Sequence, residues 1–543
     1  MKPCFLLMLL FTTAFLNLAN ATDYYVHPTL GNDLNDGSSK TKAIQTLAKA
    51  SSLSLLPGDR ILLAAGQIFH GSLQLRKLKG EKQQPIVVES TTWGLNDKAA
   101  QAIIDTKGFP NGILIEDCSF IKISSVSITG NGYTVYDSSA QMRCGVMIRT
   151  KSAKIMKGIT LEQLNIYDVY YENAGFQRSV EEVTTANGTQ RYGWGIRLMN
   201  GQGDARMEEV LIQDCDIKDV SHTGIKITGE EKNIQLVRLL KNRISGTGGP
   251  GIQMSNARFV YVANNEVIRS GSTDDSRKWG RGSGLWTWSA SDILIEKNKF
   301  MYANGPGDSA GAHIDYNCDN VILQYNFSAH NAGGFCEVLG NNYNCAYRYN
   351  ISVNDGNRVK GKDGAFQEGK TLWLSGYQGN KERKGPVNTY IYNNTIFVNK
   401  DISAKIAIDN SSEGVLIANN IFYFQGESAM VMGDQYKPDT SSGGVIKRVF
   451  FQNNLFLHKN TWPTAAIIND TAPMFGDPGF RNAGGLALED YIPANLALIR
   501  KGVEIPFLPD DAFGLMHGLH MQIDILGRQL SGVPVIGAIN PPE

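Results

Sequence analysis

The chain has 543 residues, with 52 Lys+Arg against 52 Asp+Glu, 19% charged residues, 42% apolar residues and 57 glycines. Zero net charge without a basic run excludes a nucleic-acid partner, and the apolar content excludes a disordered chain. The glycines follow no collagen period and there is no Pro-rich tract.

Residues 1–21 read as a signal peptide. Lys2 is the positive n-region, residues 5–18 form a short apolar stretch, and Ala19-Asn20-Ala21 is an A-x-A cleavage box. Cleavage after Ala21 predicts a secreted or periplasmic protein, and no later stretch is long and apolar enough for membrane insertion. Six cysteines then remain: Cys118, Cys144, Cys215, Cys318, Cys336 and Cys345. They lack metal spacing, and they read mostly as small core residues with no assignable pairing.

Residues 43–50 have helical spacing and are expected to cap the first coil of a solenoid. A repeat then begins. It reads GVMIR at Gly145, GIRLM at Gly195, GIKIT at Gly224, GIQMS at Gly251, GLWTW at Gly284, GAHID at Gly311 and, with a doubled glycine, GGFCE at Gly333. From Gly195 onward the glycines are spaced by 29, 27, 33, 27 and 22 residues, about one coil each. Companion strands end in Asn242, Asn265, Asn298, Asn326, Asn350, Asn394, Asn420 and Asn454. Those asparagines suit a stacked turn position, where Asn tolerates left-handed geometry and its amides form a ladder. The expected fold is all-β: a right-handed parallel β-helix with an N-terminal capping helix. The helix is assigned to residues 22–460, and 461–543 to a closing segment of the same domain.

Strand alternation sorts the repeat into columns. Ile225, Ile227, Ile252, Met254, Leu285, Thr287, Ala312 and Ile314 are expected inside, continued by Gly334 and Cys336. One outward column runs Met147, Arg197, Lys226, Gln253, Trp286, His313, Phe335; the other runs Arg149, Met199, Thr228, Ser255, Trp288, Asp315, Glu337. Aromatic rings on an outer face suit stacking on sugars, which makes Trp286, Trp288 and Phe335 candidate substrate contacts. Gln253, Lys226 and His313 are candidate polar contacts, and Arg197 shares the basic column. Asp308, in the loop before Asp315, is a further candidate that bends into the cleft or only forms a turn. Trp279 and Arg281 are expected in a cleft wall, and Asp274-Asp275 in a solvated loop.

Asp315 and Glu337 carry the chemistry in this reading. At one coil apart in one column, their carboxyl groups are expected roughly 5 Å apart, the separation that retaining glycosidases use. Such proximity, together with apolar neighbours, raises one pKa and keeps one group protonated. A metal site or a structural acidic ladder pairs the same residues.

The segment GAHIDYNCDNVILQYNFSAHNAGGFCEVLGN resembles the β-helix glycoside hydrolases of families 120 and 141. The first includes β-xylosidases, and the second acts on fucosyl or xylosyl linkages. The resemblance implies Asp315 as nucleophile and Glu337 as acid/base. The opening DYYVHPTLGNDLNDGSS and PGDRILLAAGQIFHGSL resemble many secreted β-helix enzymes, family 9 pectate lyases included.

The leading expectation is an exported retaining glycoside hydrolase acting on plant or algal poly- or oligosaccharides, with no cofactor and no metal. The alternative is a polysaccharide lyase, in which Lys226 or Arg197 removes a proton beside a uronate and calcium neutralises the carboxylate. A non-catalytic carbohydrate-binding solenoid is the third.

Overall fold

The computed structural model describes residues 21–94, 100–133, 142–431, 448–459, 470–530 and 532–542. The signal peptide, apart from Ala21, and the boundary expected at 460/461 lie outside the described residues. Three sheets of 14, 12 and 14 strands run the length of the molecule, and every strand pair within them is parallel. Apart from the first and last strand pairs, consecutive strands belong to different sheets, so each coil contributes one strand to each face of a β-helix. Among the described residues no helix is long and apolar enough to cross a membrane.

The expected inside residues are inside. Ile225, Ile227, Ile252, Met254, Leu285, Thr287, Ala312 and Ile314 are all fully buried. All six cysteines are buried and unpaired. The recurrent glycine has a steric cause. A Cβ on Gly195, Gly224, Gly251 or Gly284 would lie 2.3–2.8 Å from the carbonyl oxygen of the glycine one coil on.

Asparagine side chains bind the coils at another corner. Each amide Nδ2 from Asn242 to Asn420 donates to the Oδ1 of the next ladder asparagine at 2.9–3.0 Å. The same Oδ1 accepts the preceding asparagine's backbone N–H, as in Asn298 to Asn326 and Asn326 to Asn350. Asp470 closes the ladder beyond Asn454. The left-handed residue is not the ladder asparagine but its predecessor, such as Lys241, Lys297, Tyr325 and Tyr349. That kink aims the next side chain along the stack.

The capping helix is shorter than its periodicity suggests and spans Leu47–Ser51, with the Thr46 hydroxyl accepting the Lys49 N–H. Ile44 instead bridges to Val26 in parallel fashion, so the preceding residues are used as sheet edge. The C-terminal segment runs along a flank away from the cleft described below. Tyr325 and Tyr392 donate their hydroxyls to Ile523 and Leu519 carbonyls, and Asn393 donates to Val535 and Gly537.

A mid-ladder substitution tests the role of the stack. Asn326→Ala strands two buried donors of Asn298, its N–H and its amide, and takes an amide donor away from the Ile295 carbonyl and from Asn350 Oδ1. The expected loss is about 3 kcal/mol of unfolding free energy by chemical denaturation. A loss below about 1 kcal/mol would show that the coils are registered by other contacts.

Candidate active site

The 12-stranded sheet forms the floor of the cleft. Its outer column runs Arg197, Lys226, Gln253, Trp286 and His313 through successive registered pairs. The next step departs from the expected pattern. Ala310 pairs with Gly334 and Ile314 with Val338, an offset of 24 residues rather than 22. Glu337 therefore follows His313 in its column, and Leu339 rather than Glu337 stands beside Asp315.

The doubled glycine causes the shift. Gly333 approaches Asp308 so closely that a Cβ would fall 2.0 Å from its carbonyl oxygen, and Gly334 takes a φ of +142°. Both glycines are used in entering the strand. Phe335 then takes the stacked glycine's place, packs in the core and meets Tyr347 edge-on at 5.4 Å. It is not a substrate contact. Nor are Asp315 and Glu337 stacked in one column: they are diagonal neighbours, with backbones about 8 Å apart for strands of ordinary spacing.

Two lobes meet at Asp315. One, of about 480 Å³, is lined by Arg197, Lys226, Gln253, Trp286, Trp288 and Asp308 among others. The other, of about 500 Å³, is lined by Trp288, Tyr316, Leu339, Tyr377 and Gln378. Asp315, Trp288, Arg281 and Ala186 border both. Five of the seven expected substrate contacts, Lys226, Gln253, Trp286, Trp288 and Asp308, thus face the cleft, while His313 and Glu337 lie buried beside it. Trp286 and Trp288 stand perpendicular at 6.3 Å and present one edge and one face.

Arg281 assembles the wall. It makes two bonds to the Asp308 carboxylate, at 2.7 and 3.1 Å, and donates to the carbonyls of Thr184 and Thr185. Trp279 donates to Glu182 but is itself buried, stacked on His222 at 4.6 Å, so it supports the wall rather than lining it. Asp274 and Asp275 are paired with Lys278 and Arg277. The overhanging residues Ala186, Asn187 and Gln190, and Tyr377 from the other side, had no periodic signal in the sequence.

Charge is divided along the cleft. Around its junction, burial pushes the Glu337 carboxyl up to about 7 against the opposing pull of His313 and Lys370. Burial likewise raises Asp315 despite the His313 ring, whose Nε2 is 3.9 Å from Oδ2. Burial would lower His313, but Glu337 above all, with Asp315, raises it to about 9. Its Nδ1 lies 3.2 Å from Ser283 Oγ. Burial opposes ionisation of Asp308 too, yet Arg281 overcomes this and holds its pKa low. At the far end, burial and then Arg197 push Lys226 down to about 7.

A family model described as the right handed beta helix region matches residues 194–381. The chain is a right-handed parallel β-helix. It is 24% identical to a lacto-N-biosidase of Bifidobacterium longum subsp. longum over 96% of its own length, but spans only 36% of that protein. It also resembles the crystal structure of the GH136 lacto-N-biosidase from Eubacterium ramulus, with a TM-score of 0.52 and 20% identity, over 76% of this chain and 68% of that one. The structure of XylC with xylose gives a TM-score of 0.52 at 13% identity, covering 95% and 98%. The solved structures support the fold. The named similarity is to GH136, with no specific support for families 120 and 141.

The junction links stability to pH. Glu337 has its folded pKa raised from 4.5 to about 7, and His313 from 6.5 to about 9. Both hold protons that the unfolded chain releases, so their contribution to stability falls as pH rises from about 4.5 to about 9. The His313 part is complete below about 6.5 and gone above about 9. Glu337→Gln is expected to lower the His313 pKa, read by NMR titration of its imidazole; an unmoved midpoint would contradict this coupling.

Proposed function

We propose that this chain is an exported glycoside hydrolase that cleaves an oligo- or polysaccharide laid along the cleft, with the scissile bond over Asp315. The observation carrying this reading is that Asp315 borders both lobes, so a sugar chain passing between them crosses its carboxylate. Similarity to a lacto-N-biosidase across 96% of the chain supports hydrolysis of oligosaccharides. Plant and algal polysaccharides are the substrates to try beside oligosaccharides that a lacto-N-biosidase cleaves.

In this mechanism Asp315 attacks the anomeric carbon while an acid protonates the departing oxygen. Water then resolves the glycosyl ester with retention of configuration. Glu337 is the proposed acid, because burial keeps it protonated to near neutrality and it lies diagonally from Asp315. Asp308 is the rival donor: it lines the lobe beside Asp315, which Glu337 does not, but Arg281 holds it ionised. His313 fixes the charge next to Asp315, Trp286 and Trp288 offer stacking surfaces, and Gln253 offers a carbonyl oxygen to a sugar hydroxyl. No cofactor enters the scheme.

A lyase reading is favoured by a different observation, the lowering of Lys226 to about 7, which suits a base removing a proton beside a uronate. Among the described residues no three His, Cys, Asp or Glu side chains converge to hold a metal, and in this reading Arg197 would face the uronate carboxylate.

A digestion series read for reducing ends and for unsaturated-uronate absorbance separates these readings. Reducing ends without absorbance are expected, and Asp315→Ala should lower turnover at least about a hundredfold. On an activated aryl glycoside, azide should rescue Glu337→Ala as a glycosyl azide of retained configuration. The same rescue in Asp308→Ala instead would move the acid role to Asp308. Wild-type turnover by Asp315→Ala would sink the hydrolase assignment, and absorbance that depends on Lys226 would establish the lyase.

A further inference from the structure

The far end of the basic lobe contains two cations that have no counter-charge among the described residues. Arg197 and Lys226 are registered neighbours on adjacent strands, each 5% exposed, and both line the cleft. Neither forms an ion pair with a carboxylate among the described residues. The Arg197 Nη1 rests at 3.0 Å on the Met142 sulfur, and its Nε has no hydrogen-bond partner. Two unpaired cations this deep carry a large desolvation cost, and they repel each other.

The surroundings hold them in place without neutralising them. The guanidinium lies 4.4 Å and the Lys226 ammonium 5.0 Å from the Trp194 ring centroid. Trp194 is itself fully buried and stacked on His222 at 4.0 Å, with Trp279 on the other face of that imidazole. His222 is driven well below its ordinary pKa by burial and by these cations, so it adds no charge. Beside them the buried Gln253 Oε1 and Thr228 Oγ1 also lack partners. A rigid aromatic platform thus holds two basic side chains, with Gln253 and Thr228 beside them, in the lining of one lobe.

We propose that this end of the cleft is a subsite for a sugar bearing one anionic group, a ring carboxylate or a sulfate ester, held by Arg197 and Lys226. The inference rests on the cleft being a carbohydrate site and names its substrate class. It also fixes where the charge sits. Lys226 lies three strand steps from His313, about 14 Å, so the anionic ring is not the one attacked at Asp315. The charged group there is a specificity determinant. Nearer the junction Asp308 and Asp315 would repel it.

The test is binding, measured by calorimetry on Asp315→Asn so that turnover is not needed. The probes are glucuronate- and galacturonate-terminated disaccharides and a sulfated disaccharide, each beside its neutral parent. At least one charged class should bind about tenfold or more tightly than its parent at low salt. The advantage should shrink with added NaCl and vanish in Lys226→Met and Arg197→Gln, and the class that gains tells carboxylate from sulfate. Measured near pH 5.5, where Lys226 carries its charge, Lys226→Met should also unfold at a higher temperature, because it removes a buried charge with no ion pair among the described residues; a merely structural lysine would do the reverse. Equal affinities, including no measurable binding of either partner in each pair, would overturn the subsite, as would an advantage that survives both substitutions. Hydrolysis by the wild-type protein is scored separately. A charge preference without hydrolysis keeps the subsite and removes the glycosidase, whereas hydrolysis of neutral chains without a preference does the opposite.

Discussion

Each ladder asparagine uses a backbone N–H, an amide N–H and a carbonyl oxygen to tie its coil to those on either side, and it does so where water is excluded. A buried donor left without its acceptor costs as much as the bond itself or more, so the stack tolerates little slippage at that corner. The stacked glycines restrict the start of the cleft strands by sterics alone. With the coils registered at both corners, the floor side chains repeat at strand spacing. This is why Arg197, Lys226, Gln253, Trp286 and His313 form one continuous track.

The track carries a gradient of charge rather than a uniform surface. Cations with no carboxylate partner among the described residues stand at one end, aromatic rings in the middle, and the carboxyl groups of Asp308, Asp315 and Glu337 near His313 at the other. The acidic end is balanced internally. Arg281 keeps Asp308 ionised, His313 faces Asp315, and Glu337 is left to hold a proton. Among the described residues the basic end has no such balance.

Arg281 shows how the walls depend on the scaffold. It joins a loop from its own coil to Asp308 one coil later and to Thr184 and Thr185 nearly a hundred residues earlier. The overhang built in this way narrows the cleft above Trp288 and Asp315 and makes two lobes from what would otherwise be an open face. The floor is periodic, but the enclosure is not.

The period, the buried columns, the asparagine ladder and the basic and aromatic track were legible in the sequence, because each follows from strand alternation and from side chains that must repeat to stack. Tertiary structure alone decided which carboxyl groups share a cleft. At Gly333-Gly334 the periodicity placed Glu337 in the Asp315 column, whereas the fit of both glycines against Asp308 and Lys370 buries Phe335 and places Glu337 beside His313. The same holds for Asp308, whose loop had no pattern until Arg281 held it. Composition and periodicity specify a repeating backbone, whereas contacts between its insertions depend on which loops meet in space.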